Sequence, residues 1–274
     1  MPRPVPSATM KPMNKTDYLS KASRTPEERL LLSRVWDQIE CAGQRSTPQA
    51  THFLSPEEQR AVSRLLSALG DPPHRFWGGY EEAQRQLCVF LPDWMEWEDY
   101  DETPVTALRA EWYRGDSLTH RDLLGSLMGQ GIKRETVGDI LVDENSADLL
   151  VLTEIAPFLL QNFLSAGRTR LSVHEVPLHQ LHIPVQEVKR IHDTVASLRL
   201  DAVAAAGFSV SRAKMAEYIR AGKVAVNWQA TDRTDFPVQA GDVISCRGLG
   251  RCRLAETGGL SRKGRINLEL ERYL

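Results

Sequence analysis

The sequence predicts an α+β protein in three folded parts: an N-terminal helical domain, a ferredoxin-like middle domain, and a C-terminal module of two helices feeding a small sheet. Three observations carry this. Residues 16–73 hold two apolar stripes at helical spacing, each behind a Pro-Glu-Glu start signal. Residues 74–177 read in the order strand, helix, strand, strand, helix, strand, which is the split βαβ order. From residue 197 onward, two short amphipathic stretches precede runs that alternate with period two.

A chain of 274 residues with 42% hydrophobic and 26% charged residues has room for two or three globular domains. No apolar run reaches the ~18 residues of a membrane helix. The best stretch, Leu149 to Leu160, is interrupted by Glu154 and Pro157. Residues 1–15 lack the apolar core of a signal peptide and read as a disordered leader, with Met13 as a candidate alternative start. A cytoplasmic location is the expectation. Cys41, Cys88, Cys246 and Cys252 form no CxxC pair, so reduced and mostly buried thiols are expected.

The net charge of −2 conceals an asymmetry. From Arg199 to Leu274 there are 13 Lys and Arg against 8 Asp and Glu; the rest of the chain carries 21 against 28. A basic C-terminal module on an acidic body points to a localised anion-binding surface.

The first helical stretch starts at Thr25-Pro26-Glu27-Glu28 and buries Leu30, Leu31, Val35 and Ile39. Ser55-Pro56-Glu57-Glu58 repeats the signal before Val62, Leu65, Leu66 and Leu69. Gly70 to Pro73 closes the segment. Nothing in it suggests chemistry.

In the middle domain, Leu87 to Leu91 and Val105 to Tyr113 read as strands. Between them, Asp93 to Glu102 is acidic and carries Trp94 and Trp97. It reads as a solvated loop with two anchored indoles, with a partner-facing loop as the alternative. Thr119 caps a helix through Met128. Gly138–Val142 and Leu149–Thr153 form a hairpin around Asp143 to Asn145. Ile155 to Leu164 is a second helix, and Thr169 to Val173 a last strand. This order is shared with the RNA-recognition-motif fold, but the aromatic–glycine consensus that stacks bases is missing. Gly129-Gln130-Gly131 follows a helix instead of a strand, so it reads as a turn and not as a nucleotide loop. Lys133 and Arg134 directly after that turn would suit an RNA backbone.

Residues 178–196 read as a linker. His174, His179, His182 and His192 cluster around it, but two prolines break the segment and no known ligand spacing is present, so no metal is expected.

The C-terminal module opens with Leu200, Val203 and Ala204 at helical spacing, stopped by Gly207. Ser211 stands at the N-cap of a second helix with Met215, Tyr218 and Ile219 inward, and Gly222 at its C′ position. Val224 and Val226 begin a strand. Arg212, Lys214, Arg220 and Lys223 lie outside the apolar set. Guanidinium groups fork onto phosphate oxygens, and helix N-termini offer free N–H groups to anions. Charge alone fits an ordinary solvated face equally well.

The pattern goes further than charge. Arg199-Leu200-Asp201, Ser211-Arg212-Ala213-Lys214, Ile219 with Gly222-Lys223-Val224, Val226-Asn227 and Gly241-Asp242-Val243-Ile244 resemble the S4 RNA-binding domain (α-L-like), which implies such a domain over 197–274. Trp228 departs from that family's usual Gly and concerns the turn that follows Asn227. A wider resemblance, to the bacterial YlmH (RqcP) proteins and their photosystem-associated S4-domain relatives, rests on three runs. They are Thr51 to Glu57, Gly131-Ile132-Lys133-Arg134 with Gly138 to Val142, and Ser197 to Asp201.

This resemblance implies a non-enzymatic, monomeric RNA-binding protein. Its partners would be rRNA and tRNA on the large ribosomal subunit, in ribosome-associated quality control with alanine tailing of stalled chains. No cofactor, catalytic residue, membrane partner or small-molecule substrate is implied. The expected RNA contacts are Arg199, Ser211, Arg212, Lys214, Arg220, Lys223 and Arg247, with Lys133 and Arg134 as a secondary pair. Asp201 is expected to orient an arginine or cap locally. Two other classes stay open. An RNA-modifying enzyme of the pseudouridine-synthase type would yield a modified nucleoside, although residues 16–190 show no motif for its catalytic Asp. A protein-interaction adaptor built on Trp94 and Trp97 would capture its partner after RNase treatment.

Overall fold

A computed structural model describes residues 15–45, 47–100, 104–184 and 188–273. The expected leader at 1–15 and the end of the acidic loop lie almost wholly outside these residues. The chain forms two compact units, divided between Ile183 and Pro184.

The first unit begins with α1 (Lys15–Ala22), α2 (Pro26–Arg45), β1 (Gln49–Ala50) and α3 (Pro56–Ala68). Ser55 and Glu58 form a reciprocal capping box ahead of α3, with Pro56 at its first position. Leu32, Val35, Val62, Leu65 and Leu66 pack together with Cys88 and Phe90. Those last two belong to β3 (Leu87–Phe90), which pairs with β1 on one side and β2 (His74–Trp77) on the other. The sheet therefore straddles the expected boundary at residue 73. Its apolar run, fully buried, is too short and too uniform to say from sequence which neighbour it joins.

The second part of this unit is a sheet of β4 (Val105–Glu111), β5 (Val137–Val142), β6 (Ser146–Leu152) and β9 (Ser172–Val176), in the order β5-β6-β4-β9. All its pairings are antiparallel. With α4 (His120–Gly129) and α5 (Ala156–Asn162) this is the split βαβ arrangement. An extra hairpin, β7 (Ser165–Ala166) and β8 (Thr169–Arg170), stands before β9. The single strand expected at 169–173 is thus two elements, divided at Leu171, whose buried side chain joins the core beneath α4 and α5.

Both faces of the four-stranded sheet are covered. Leu108, Ala110, Leu149 and Val151 point to α4 and α5. Ala107, Leu150, Leu152 and Val176 point instead to Phe53, Leu87 and Val89, with Leu178 and Leu181 over them. On that second face Arg109 grips the fully buried Asp148 through Nε (2.7 Å) and Nη2 (2.8 Å). Arg109 also donates to the Gln180 carbonyl, and the His182 N–H donates to Asp148, so the segment after β9 is pinned down.

The second unit holds α6 (Leu200–Phe208), α7 (Arg212–Arg220) and one antiparallel sheet. Its strands are β10 (Val188–Val195), β11 (Val224–Val226), β12 (Gln229–Ala230), β13 (Val243–Cys246), β14 (Gly250–Leu260) and β15 (Ile266–Tyr273). They lie in the order β10-β15-β14-β13-β11-β12. Much of the expected linker at 178–196 is therefore strand. Only Val195 of β10 is buried, so the apolar signal is faint, and pairing with β15 along all eight residues holds it instead. Gly207 does not stop α6. It sits inside the helix because a Cβ there would stand 2.6 Å from Cys252 Sγ, and Ser209 takes the left-handed conformation after the helix.

Candidate nucleic-acid interface

The α6–α7 edge is built around a carboxylate. Asp201, in the first turn of α6, is 5% exposed. Arg212, the first residue of α7, donates to it through Nε (3.0 Å) and Nη2 (2.9 Å). Arg199, just ahead of α6, donates through Nε and Nη2, both at 3.3 Å. Burial raises the Asp201 carboxyl, but hydrogen bonds from Arg199 and Arg212 outweigh it and hold the group below its ordinary value. One anion thus sets two half-exposed guanidiniums, which keep surplus positive charge and free donors toward solvent. The α6 N-terminus has no side-chain cap. Its first N–H groups bond the Phe236 and Thr234 carbonyls of the loop after β12.

Ser211 caps α7, its Oγ accepting the Lys214 N–H at 3.2 Å. The other end of α7 closes in a Schellman motif: Lys223 N–H bonds Tyr218 O, Gly222 N–H bonds Ile219 O, and Gly222 has φ +65. This turn brings Lys223 back onto its own helix. Lys214 Nζ and Lys223 Nζ each lie 5.4 Å from the Tyr218 ring centroid, and Lys214 also pairs with Glu217 at 3.4 Å. The Arg247 N–H donates to the Lys223 carbonyl at 2.9 Å, joining the β13–β14 turn to the same end. Arg220 and Arg247 are exposed.

The expected residues thus form two groups, Arg199 with Arg212 and Lys214 with Lys223, bridged by α7. Tyr218 is the member the sequence reading assigned only to core. Its signal was the i, i+4 spacing from Lys214. After β11, Asn227 (φ +50) and Trp228 (φ +63) make a two-residue turn with both central residues left-handed, so the turn keeps its geometry without glycine.

Lys133 and Arg134 belong to the first unit and separate in role. Lys133 is exposed. Arg134 donates to the carbonyls of Val137 and Gly138, and burial followed by neighbouring Arg85 pushes its guanidinium down to about 10. It serves as an internal clamp beside Asp139, which accepts from Tyr80 and from the N–H groups of Gln84 and Arg85. Among the described residues no three His, Cys, Asp or Glu side chains converge as metal ligands, and no helix is long and apolar enough to cross a membrane.

Three family models match the chain: "YlmH, N-terminal" over residues 27–92, "Putative RNA-binding domain in YlmH" over 113–180, and "S4 domain" over 198–244. Among curated proteins, the chain is 33% identical over 248 residues to ribosome-associated protein quality control protein P2 of Bacillus subtilis (strain 168). That match covers 90% of this chain and 95% of the relative. Among solved structures, cell division protein ylmH from Streptococcus pneumoniae is 23% identical with a TM-score of 0.49, covering 59% of this chain and 98% of its own. The chain belongs to the YlmH family of S4-domain proteins.

Proposed function

We propose that this protein binds RNA on the ribosome and serves ribosome-associated quality control without catalysing a reaction. In this reading the α6–α7 edge contacts rRNA and tRNA on large subunits, the protein acts as a cytoplasmic monomer, and its binding assists alanine tailing of stalled chains. The observation that supports it best is the Asp201-centred pair of arginines next to Lys214 and Lys223. Their heads are ordered before any ligand arrives, so little side-chain entropy is left to lose on phosphate binding. The printed name of the Bacillus subtilis relative supports the ribosomal setting.

The test is sedimentation with purified ribosomal subunits over a salt series. Co-sedimentation with the large subunit is expected. Arg212→Ala/Lys214→Ala removes two phosphate contacts and should flatten the log–log salt slope by roughly one to two units. An unchanged affinity and slope in this variant would remove the α6–α7 edge as the anchor.

A further inference from the structure

The four-stranded sheet of the first unit has the topology of RNA-recognition motifs, whose open sheet face stacks bases. That mode is closed here. One face lies under α4 and α5, and the other lies under Phe53, Leu87, Val89, Leu178 and Leu181. The Arg109–Asp148 pair on the second face is engaged by Gln180 and His182. RNA can reach this domain only at its edges or across its helices.

The β7–β8 hairpin is the element that the split βαβ order does not require, and it lies across α4. The Gly167 N–H donates to Ser126 Oγ at 3.2 Å, and Gln130, at the C-cap of α4, donates to the Asn162 carbonyl at 3.2 Å, just ahead of the hairpin. Gly167, with φ +60 at the first central position, turns the chain in two residues and makes Arg168 the tip. Arg168 and Arg170 are both exposed, and neither guanidinium has a hydrogen-bond or ion-pair partner among the described residues. In this they differ from Arg109, Arg134, Arg199 and Arg212, all of which are engaged. Lys133, also exposed, follows three residues after Gln130.

We propose that the β7–β8 hairpin is a second RNA contact, with Arg168 and Arg170 gripping the phosphate backbone of double-helical RNA. The inference rests on the RNA-binding reading above and assigns it a surface in the other unit. The hairpin segment Ser165–Arg170 contains no aromatic side chain to stack an unpaired base. Two arginines on a narrow ribbon held against Ser126 suit backbone phosphates across a groove.

The test uses the full chain and purified large ribosomal subunits over a salt series, with Arg168→Ala/Arg170→Ala beside Arg212→Ala/Lys214→Ala. The hairpin variant should bind about tenfold more weakly and lower the salt slope by about one to two units. Arg168→Lys/Arg170→Lys should keep most of the slope, and the thermal midpoint should match wild type. Double-stranded RNA should displace the wild type more effectively than single-stranded RNA of equal length, and the hairpin variant should lose that preference. A hairpin variant with wild-type affinity and slope, beside a weakened Arg212/Lys214 variant, overturns this proposal alone. A wild type that binds no subunit overturns the RNA reading itself, and this proposal with it.

Discussion

Asp201 grips Arg212 across the α6–α7 corner, with guanidinium Nε and Nη2 at 3.0 and 2.9 Å from one carboxylate oxygen. The acid sits under the cations and is nearly buried, so it is a positioning residue. Asp201→Asn should weaken large-subunit binding several-fold while leaving all four cations in place, a result that sedimentation would reveal.

The same carboxylate sets an acid limit. Its folded value lies below the ordinary one, so its stabilisation is complete above about pH 4 and is lost as pH falls through the folded value. Both arginines are about half exposed, which limits the contribution to about 1 kcal/mol. Thermal melts of wild type and Asp201→Asn should differ at pH 7 and converge toward pH 3. A constant gap at all pH values would assign the effect to packing.

Asn227 holds its turn with a left-handed backbone, an amide donated to Asp242 Oδ1 at 2.6 Å, and a carbonyl oxygen accepting the Val243 N–H at 2.9 Å. Asn227→Ala removes both bonds and adds strain at positive φ. A loss of about 2–3 kcal/mol is expected in denaturant melts.

Gly207→Ala gains helix propensity of about 1 kcal/mol but drives a methyl into Cys252 Sγ. Overpacking costs about 1–3 kcal/mol and should win. Adding Cys252→Ala removes the sulfur, so the double variant should be more stable than the two single effects summed. Strict additivity in a double-mutant cycle would refute the contact.

Burial pushes the Cys252 thiol up to about 12 and also raises Cys88 and Cys246, so thiolate is scarce at pH 8. A thiol-reactive dye should label native protein at no more than one fast site, the part-exposed Cys41. Denaturant should release all four cysteines.

Local chemistry was the legible part of this chain. Ser55, Thr119 and Ser211 cap helices as their spacing says, and Gly222 closes α7. Asp201 orients arginines because a short acid at the second position of a helix reaches both flanks. What stayed hidden depends on distant backbone. β10 is polar and is held by its partner, and Gly207 is required by a strand some 45 residues later in the chain. The sequence also does not show that Arg134, one of the expected RNA contacts, donates to the Val137 and Gly138 carbonyls.

The pairing of β10 with β15 bears on how this module can be carried between proteins. The S4 match ends at residue 244, inside β13, whereas the sheet continues through β14 and β15 and back to a strand that precedes the motif. A fragment cut at 198 and 244 would leave α6 without the strand surface it packs on, exposing Leu200 and Val203 together with a raw sheet edge. The matched motif is therefore shorter than the unit of folding. Grafting the motif into another host would require its flanking strands to travel with it, while their sequences remain free to drift wherever backbone pairing alone supports them.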